Sequence, residues 1–291
     1  MTTRTVWLWS AKPMRIVSLL PSATETLFAL GLGNQLVAVT HECDFPPEAR
    51  SLPIVTRAAL RLEEQDSAGI EAAVSLAAAD ERSLYVVDTE AIRALEPDLV
   101  VAQDVCRVCA VTADQVVVDL EGIQVMRQHP HTLEDVLADI QELGAACGTD
   151  AAPLMAGLRA RIDAAAQTAR RLGPVRGVFL EWIDPPYRAG HWTPDLLALA
   201  CIEDAVARPG IPSIPVTWAA VAAARPELLI IAPCGFTRDR ALAEADLVRT
   251  EIDAVGAARV VVLDGSAYFN RPGPRLVDSL ELLIANRLGD A

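Results

Sequence analysis

The middle of this chain is helical, whereas both flanks alternate short apolar runs with helical segments. From Thr132 to about Leu172 the pattern is helical throughout, except for a break near Gly144–Thr149. Its later part, Ala151–Leu172, predicts a helix of roughly 30 Å, about the width of a small domain. We therefore expect an N-terminal α/β lobe over residues 14–128, linking helices over 129–173 and a C-terminal α/β lobe over 174–291.

The short apolar runs on both flanks are typical of buried strands. Because helical segments separate them, the pattern predicts parallel βα units in each lobe. Ser22 and Glu25 have the spacing of a capping box, and Ser67 is expected to cap a helix over Ala68–Ala79. The predicted strands are Arg15–Leu20, Leu36–Thr40, Asp98–Ala102, Ile123–Met126, Arg176–Leu180, Leu228–Ala232 and Arg259–Leu263.

Charge and apolar runs exclude some classes of protein. The net charge of −14 argues against nucleic-acid binding, which requires a basic surface. The longest apolar runs, such as Leu228–Ala232, are far shorter than the ~20 residues that cross a bilayer. The chain is thus predicted not to span a membrane.

The N-terminal residues predict a cytoplasmic protein. They contain neither the 7–15-residue apolar core of a secretory signal nor a lipobox-like cysteine. A periplasmic or surface location is expected only if the start is misassigned, and translation from Met14 rather than Met1 is an alternative. In the cytoplasm the six cysteines are expected to be reduced.

Residues suited to metal or redox chemistry follow the predicted strands in five separate segments. In open α/β folds ligands bind at the carboxyl ends of parallel strands, so this shared position predicts a binding site. The segments are His41-Glu42-Cys43-Asp44, Cys106-x-x-Cys109, Glu181-Trp182, His191-Trp192 and Pro233-Cys234-Gly235.

Cysteine and histidine ligands predict direct metal binding. Two thiolates spaced as Cys106 and Cys109 can chelate zinc or an iron–sulfur cluster, or form a disulfide; alternatively both pack in the core. His41 and Cys43 offer an imidazole and a thiolate, unless His41 bonds a loop and Cys43 is buried. The predicted zinc or iron ligands are His41, Cys43, Cys106, Cys109, His191 and Cys234.

Tryptophans beside ionisable residues suggest recognition of a flat ligand in the second lobe. Trp182 and Trp192 each follow an ionisable residue, and the alternative is that both cover the core. His129 and His131 flank Pro130, where roles in capping or a hinge are favoured over metal binding.

Four segments carry a family resemblance that covers nearly all of the chain from Met14 onward. Arg15–Thr26, Cys43–Arg50, Leu95–Val100 and Arg271–Arg275 resemble the periplasmic vitamin B12-binding proteins. More broadly, they are similar to the substrate-binding proteins of iron-siderophore and cobalamin ABC transporters. Val178–Tyr187 continues the similarity, and extra residues lie around Arg61–Leu84.

The resemblance implies two Rossmann-like lobes, a rigid bridging helix and a metal chelate in the cleft between the lobes. The positions that match the aromatic residues of the corrin cleft are Glu42, Arg57 and Ser213. Of the two acidic residues that dock onto an ABC permease, Glu90 matches the first, and Ala219 stands at the second. The predicted ligand-binding residues are Pro21, Ser22, His41, Glu42, Arg57, Gln103, Glu181, Trp182, His191 and Trp192.

Two hypotheses of different classes follow. The first is a binding protein for cobalamin or another metal chelate. The alternative is a cytoplasmic metalloprotein or enzyme with a Cys/His metal site on the same scaffold. No Walker-type loop, GxSxG elbow or HExxH pair occurs, and no catalytic residue is predicted.

Overall fold

The chain folds into two α/β lobes, each built on a parallel sheet. The computed structural model describes residues 13–80, 82–104, 111, 114 and 120–287. The first sheet has the strand order β2-β1-β5-β6, and the second has the order β11-β10-β7-β8, with β9 also paired to β7. All described pairs in the first sheet are parallel, and in the second only β7 and β8 run antiparallel. The predicted fold class is confirmed.

Within the described residues, the strands and helices alternate along both flanks. The strands are β1 (Ile16–Ser18), β2 (Leu36–Ala38), β3 (Thr56–Ala58), β4 (Tyr85–Val87), β5 (Leu99–Gln103), β6 (Gln124–Gln128), β7 (Val175–Trp182), β8 (Tyr187–Arg188), β9 (Ile202–Asp204), β10 (Leu228–Ile231) and β11 (Arg259–Val262). The helices are α1 (Pro21–Ala29), α2 (Ser67–Ala79), α3 (Thr89–Ala94), α4 (Leu133–Ala146), α5 (Ala152–Leu172), α6 (Thr193–Leu199), α7 (Trp218–Ala223), α8 (Arg238–Leu247), α9 (Arg249–Val255), α10 (Gly265–Tyr268) and α11 (Leu276–Arg287), with 3-10 turns at Gly33–Gln35 and Pro47–Ser51.

Helix α4 belongs to the cores of both lobes. Its residues Leu133 and Ile140 pack with Phe179 of β7 in the second lobe. One turn later, Leu143 packs with Leu27 of α1 in the first lobe. Because one rigid helix contributes to two cores, movement of the lobes must deform or repack side chains along α4.

Two predicted helix caps are wrong. Helix α1 begins at Pro21, and its N-cap Leu20 makes no side-chain cap bond, so Ser22 lies inside the first turn. Proline suits this first position because its missing N–H would be unpaired there in any case. Helix α2 is capped by Asp66, whose carboxylate accepts a bond from the Gly69 N–H, and Ser67 is already helical.

The residues that the resemblance identified as extra lie between the two strands of a short antiparallel ladder. Strand β3 pairs with β4, with Thr56 opposite Val87 and Ala58 opposite Tyr85. The chain between the two strands leaves the first lobe, forms α2 and returns. We call residues 59–84 the arm. Among the helices that the structure describes, none is long and apolar enough to cross a membrane.

Candidate functional site

In the first lobe, polar side chains collect where β2 ends. The Nδ1 atom of His41 lies 2.7 Å from the hydroxyl of Thr56. The Tyr85 hydroxyl donates to Glu42 at 3.3 Å. Burial raises the pKa of Glu42, although the bond from Tyr85 works in the opposite direction. These groups form a polar wall at the carboxyl end of the sheet, and Arg57 is exposed beside it on β3.

The predicted direct metal site is not assembled by the residues that the structure describes. Among them no three His, Cys, Asp or Glu side chains are grouped so that they could hold a metal ion. Cys43 is only 5% exposed, its sulfur lies 3.1 Å from the Thr24 hydroxyl, and burial raises its pKa. The predicted ligands His41, Cys43, His191 and Cys234 therefore do not form a site together, and Cys106 and Cys109 lie outside the described residues.

In the second lobe, Glu181 organises the loop that follows β8. Its Oε1 accepts the Gly190 N–H at 3.0 Å, and the hydroxyls of Thr193 and Ser213 lie beside the same carboxylate. Burial raises the pKa of Glu181 to about 7, although these polar neighbours act in the opposite direction. The hydroxyl of Ser213 donates to the Arg188 carbonyl at 2.6 Å. A carboxyl that titrates near neutrality thus lies at the end of β7.

The two tryptophans have different surroundings. Trp192 is 7% exposed, belongs to the core of the second lobe and donates its indole N–H to the Phe269 carbonyl at 2.8 Å. Its ring is therefore not available to a ligand, which corrects the prediction for this residue. Trp182 is half-buried and packs on Phe236, with ring centroids 4.9 Å apart.

The arm crosses from the first lobe to the second. The Ser67 N–H and hydroxyl both donate to the buried Glu244 of α8, at 2.8 and 2.9 Å. The Tyr187 hydroxyl donates to Glu71 at 2.8 Å. Ile70 of α2 packs with Phe236 in a small apolar cluster between the lobes. These contacts restrain opening of the lobes on the arm's side.

A second bridge joins the lobes through buried charges. Arg271 donates to Glu25 at 3.1 Å and to Asp44 at 2.6 Å, and Arg275 lies 3.4 Å from the same Glu25 oxygen. Glu25 and Arg271 are both almost completely buried. The two carboxylates belong to the first lobe and the arginines to the second. Separation of the lobes here would therefore leave these charges without their partners or expose them to solvent.

The remaining predicted wall residues are largely enclosed. Pro21 is half-buried at the start of α1, and Ser22 is 2% exposed. Gly273 lies so close that a Cβ there would be 3.2 Å from the Ser22 carbonyl oxygen. Ser22 therefore contacts the C-terminal segment, which corrects its assignment to the cleft wall. Gln103 is 6% exposed at the end of β5.

Three histidines, of which only the nearness of His129 and His131 was visible in the sequence, are in contact. The Nε2 atoms of His129 and His131 are 2.9 Å apart, and the Nδ1 atoms of His131 and His191 are 3.4 Å apart. His129 and His131 follow β6, whereas His191 follows β8. The spacing of His129 and His131 hinted at the first contact, but nothing in the sequence indicates that His191 joins them.

An open groove of about 640 Å³ lies elsewhere on the second lobe. It is lined by residues of α5, α6 and β9 that include Arg170, Asp195 and Asp204. Because β9 pairs with the first residues of β7, this groove is at the amino end of the strands. It is not part of the strand-end site.

Comparison with known proteins agrees with this two-lobe arrangement. The sequence profile described as periplasmic binding protein matches residues 16–267. The chain belongs to the periplasmic binding protein family. One relative is the vitamin B12-binding protein of Vibrio cholerae serotype O1. It is 25% identical over 284 residues, which cover 93% of this chain and 89% of the relative.

Solved structures share the same fold. The periplasmic vitamin B12-binding protein of Vibrio cholerae has a TM-score of 0.66 at 22% identity, covering 93% of this chain and 95% of that protein. A periplasmic heme-binding protein from Pseudomonas aeruginosa has a TM-score of 0.71 at 21% identity, covering 94% and 92%. Neither comparison supports the alternative of an enzyme.

Proposed function

We propose that this member of the periplasmic binding protein family is the substrate-binding component of an ABC transporter and holds a metal chelate between its lobes. The observation that carries the proposal is the nearly full-length similarity to a vitamin B12-binding protein. The polar strand ends of both lobes would form the walls of the site. Cobalamin and heme are the first ligands to test, because they are bound by proteins of this fold.

The proposed walls present hydrogen-bonding groups rather than the aromatic faces that line a corrin cleft. Glu42 and Tyr85 would contribute from the first lobe, and Glu181 and Ser213 from the second. Arg57 is exposed at a position that matches an aromatic residue of the corrin cleft. Hydrogen bonds and charge, rather than stacking, would therefore select the ligand at these positions.

Absorption titration of the full-length protein with cobalamins, hemin and iron chelates tests the proposal. We expect saturable binding of one ligand per chain, accompanied by quenching of tryptophan fluorescence. Arg57→Ala should weaken that binding by about tenfold, or about 1.4 kcal/mol. Arg176→Ala is the matched control, because Arg176 lies at the amino end of β7 and pairs with Glu227 on the surface. No binding of any of these chelates at tens of micromolar would refute the proposal.

An ABC permease is the partner that this proposal implies. Glu90 is exposed in the first turn of α3, where an acidic docking residue is expected. Ala219 is exposed in the first turn of α7, but it carries no charge. Docking on the second lobe would therefore use different residues. The cytoplasmic location inferred from the N-terminus stays a prediction, and cell fractionation tests it.

A further inference from the structure

The three-histidine contact joins the segment after β6 in the first lobe to the loop after β8 in the second. His129 comes directly after β6, which is an edge strand of the first sheet. His191 is next to Gly190, whose N–H binds Glu181 at the end of β7. His129 is exposed, whereas His131 and His191 are half-buried. The imidazoles are therefore open to a molecule that enters between the lobes.

Two carboxylates of α4 hold the backbone of His129 and His131. Asp135 accepts the N–H of His131 at 3.0 Å as part of a capping box with Thr132. One turn later, Asp139 accepts the N–H of His129. Because two carboxylates fix this loop, the rings start from anchored positions rather than from a freely moving segment.

The 2.9 Å contact between the Nε2 atoms of His129 and His131 has the length of an N–H···N hydrogen bond, and it also suits two lone pairs that share one cation. Either one proton or one cation satisfies it, because two unprotonated imidazole nitrogens repel each other. Metal–imidazole bonds are about 2.0–2.1 Å long. Two nitrogens in adjacent positions of an octahedral metal are therefore about 3.0 Å apart, and in opposite positions about 4.2 Å apart. The observed separation fits adjacent positions.

His191 contacts the second ring nitrogen of His131. Its Nδ1 lies 3.4 Å from the Nδ1 of His131, on the side of that ring opposite to His129. His191 accepts a hydrogen bond through this Nδ1 when its own proton lies on Nε2. A metal-binding histidine commonly donates its second N–H to such an acceptor, which fixes its tautomer.

We propose that His129 and His131 bind one metal centre through their Nε2 atoms in adjacent coordination positions, with His191 holding His131 in the required tautomer. The inference rests on the proposed function and, within its class of metal chelates, favours open-chain chelates over macrocycles such as cobalamin and heme. A macrocycle fills the four positions of one plane and leaves only opposite positions free. The pair therefore selects a divalent or trivalent transition metal held by an open-chain chelator with two adjacent positions free. Two protein ligands suffice, because the chelator supplies the other four.

Nickel nitrilotriacetate is the probe, because its chelator leaves two adjacent positions open. Nickel bound to ethylenediaminetetraacetate, which fills all six, is the matched control compound. Calorimetry and the nickel d–d absorption band are recorded with the full-length chain without an affinity tag. We expect one nickel nitrilotriacetate per chain and a shift of the band, and no binding of the saturated complex.

Variants assign the binding to particular rings. His129→Ala and His131→Ala should each weaken binding by at least about tenfold, and His191→Ala by about 10- to 100-fold through loss of orientation. Arg176→Ala is the control, because Arg176 lies at the amino end of β7 and pairs with Glu227 on the surface. Circular dichroism checks the fold of each variant, and His131→Gln provides a polar substitute if His131→Ala unfolds.

The outcomes separate this inference from the proposed function. Nickel nitrilotriacetate that binds no better than the saturated complex, or that binds the double variant His129→Ala/His131→Ala as well as the natural chain, overturns the inference. In that case, binding of cobalamin, hemin or iron chelates still decides the proposed function by itself. Loss of nickel binding in both histidine variants, with Arg176→Ala unchanged, establishes the pair as the metal contact.

Discussion

Trp182 at the end of β7 donates its indole N–H to the backbone carbonyl of Ser67 in the first turn of α2, at a distance of 3.2 Å. The two residues belong to different lobes. Their bond joins the arm to the strand-end side of the second sheet, beside Glu181. Ser67 belongs to the arm, which lies outside the family resemblance. The arm therefore provides a contact that restrains the cleft.

Removal of the Ser67 hydroxyl should loosen the arm. Ser67→Ala leaves the buried Glu244 carboxylate with one donor fewer, and an unsatisfied buried acceptor costs about 1–3 kcal/mol. We expect amide hydrogen exchange in α2 to accelerate by about tenfold or more. Ser51→Ala, which removes an exposed hydroxyl bonded to the Glu48 carbonyl, is the control. Equal exchange rates in α2 of both variants would contradict the bridging role of the arm.

The buried charges around Arg271 should be more sensitive to substitution. Arg271→Met leaves Glu25 buried with Arg275 as its remaining charged neighbour, and the loss of one partner of a buried pair costs about 3–5 kcal/mol. Urea denaturation measures this change in the free energy of unfolding. The exposed pair of Arg176 and Glu227 is the matched comparison, where Arg176→Met should cost at most about 1 kcal/mol. Similar costs for the two variants would show that the bridge through Arg271 is not important for stability.

The sequence predicted the elements better than their contacts. The predicted helix Ala151–Leu172 agrees with α5 to within one residue, because its helical composition and the following Gly173 are local features. Strands β3 and β4 were not predicted, since three-residue ladders depend on their partner more than on their own pattern. The contact of His191 with His131 joins residues 60 positions apart, and no local pattern encodes it.

Site residues were predicted by their place after strands, which does not determine the direction of a side chain. Glu181 lies at the end of β7, whereas His191 follows β8, which runs antiparallel to β7 and returns from its carboxyl end. Trp192 and Cys43 follow strands as well, yet both side chains are buried. Burial depends on which helix covers the loop, and that information lies in distant parts of the chain.

Asp139 should make stability depend on pH. Burial, Glu142 and Asp135 raise its pKa from 3.8 to about 7, and its Oδ2 has no partner among the described residues. Between these pH values the unfolded chain ionises while the folded chain keeps the proton, so stability falls as the pH rises from about 4 to 7. Above pH 7 both forms are ionised, and the penalty stays constant.

Asp139→Asn should remove that penalty. Because the side chain is partly exposed, we expect a gain of about 1–2 kcal/mol at pH 8 and almost none at pH 4. Chemical denaturation at both pH values measures it. Glu134→Gln on the exposed face of the same helix breaks the pair with Arg159 and should change stability by less than about 1 kcal/mol. A gain for Asp139→Asn that is equal at pH 4 and pH 8 would refute the ionisation argument.

Gly190 is required by the close approach of two backbone segments. A Cβ at this position would overlap the Ser213 nitrogen and would lie 2.6 Å from the Ile211 carbonyl oxygen. Backbone atoms cannot rotate away as a flexible side chain can, so Gly190→Ala must displace the loop that carries Ser213. The same displacement would weaken the bond from the Gly190 N–H to Glu181.

We therefore expect Gly190→Ala to destabilise the chain by about 1–3 kcal/mol and to weaken ligand binding together with it. Gly157→Ala is the matched control, because a Cβ there meets no atom within 4 Å and the residue lies inside α5. Alanine is the better helix former, so this control should stabilise the chain by about 0.5–1 kcal/mol. Thermal denaturation of both variants with and without ligand measures the two effects. An unchanged melting temperature and affinity in Gly190→Ala would show that the loop accommodates a side chain, and that Glu181 does not depend on its position.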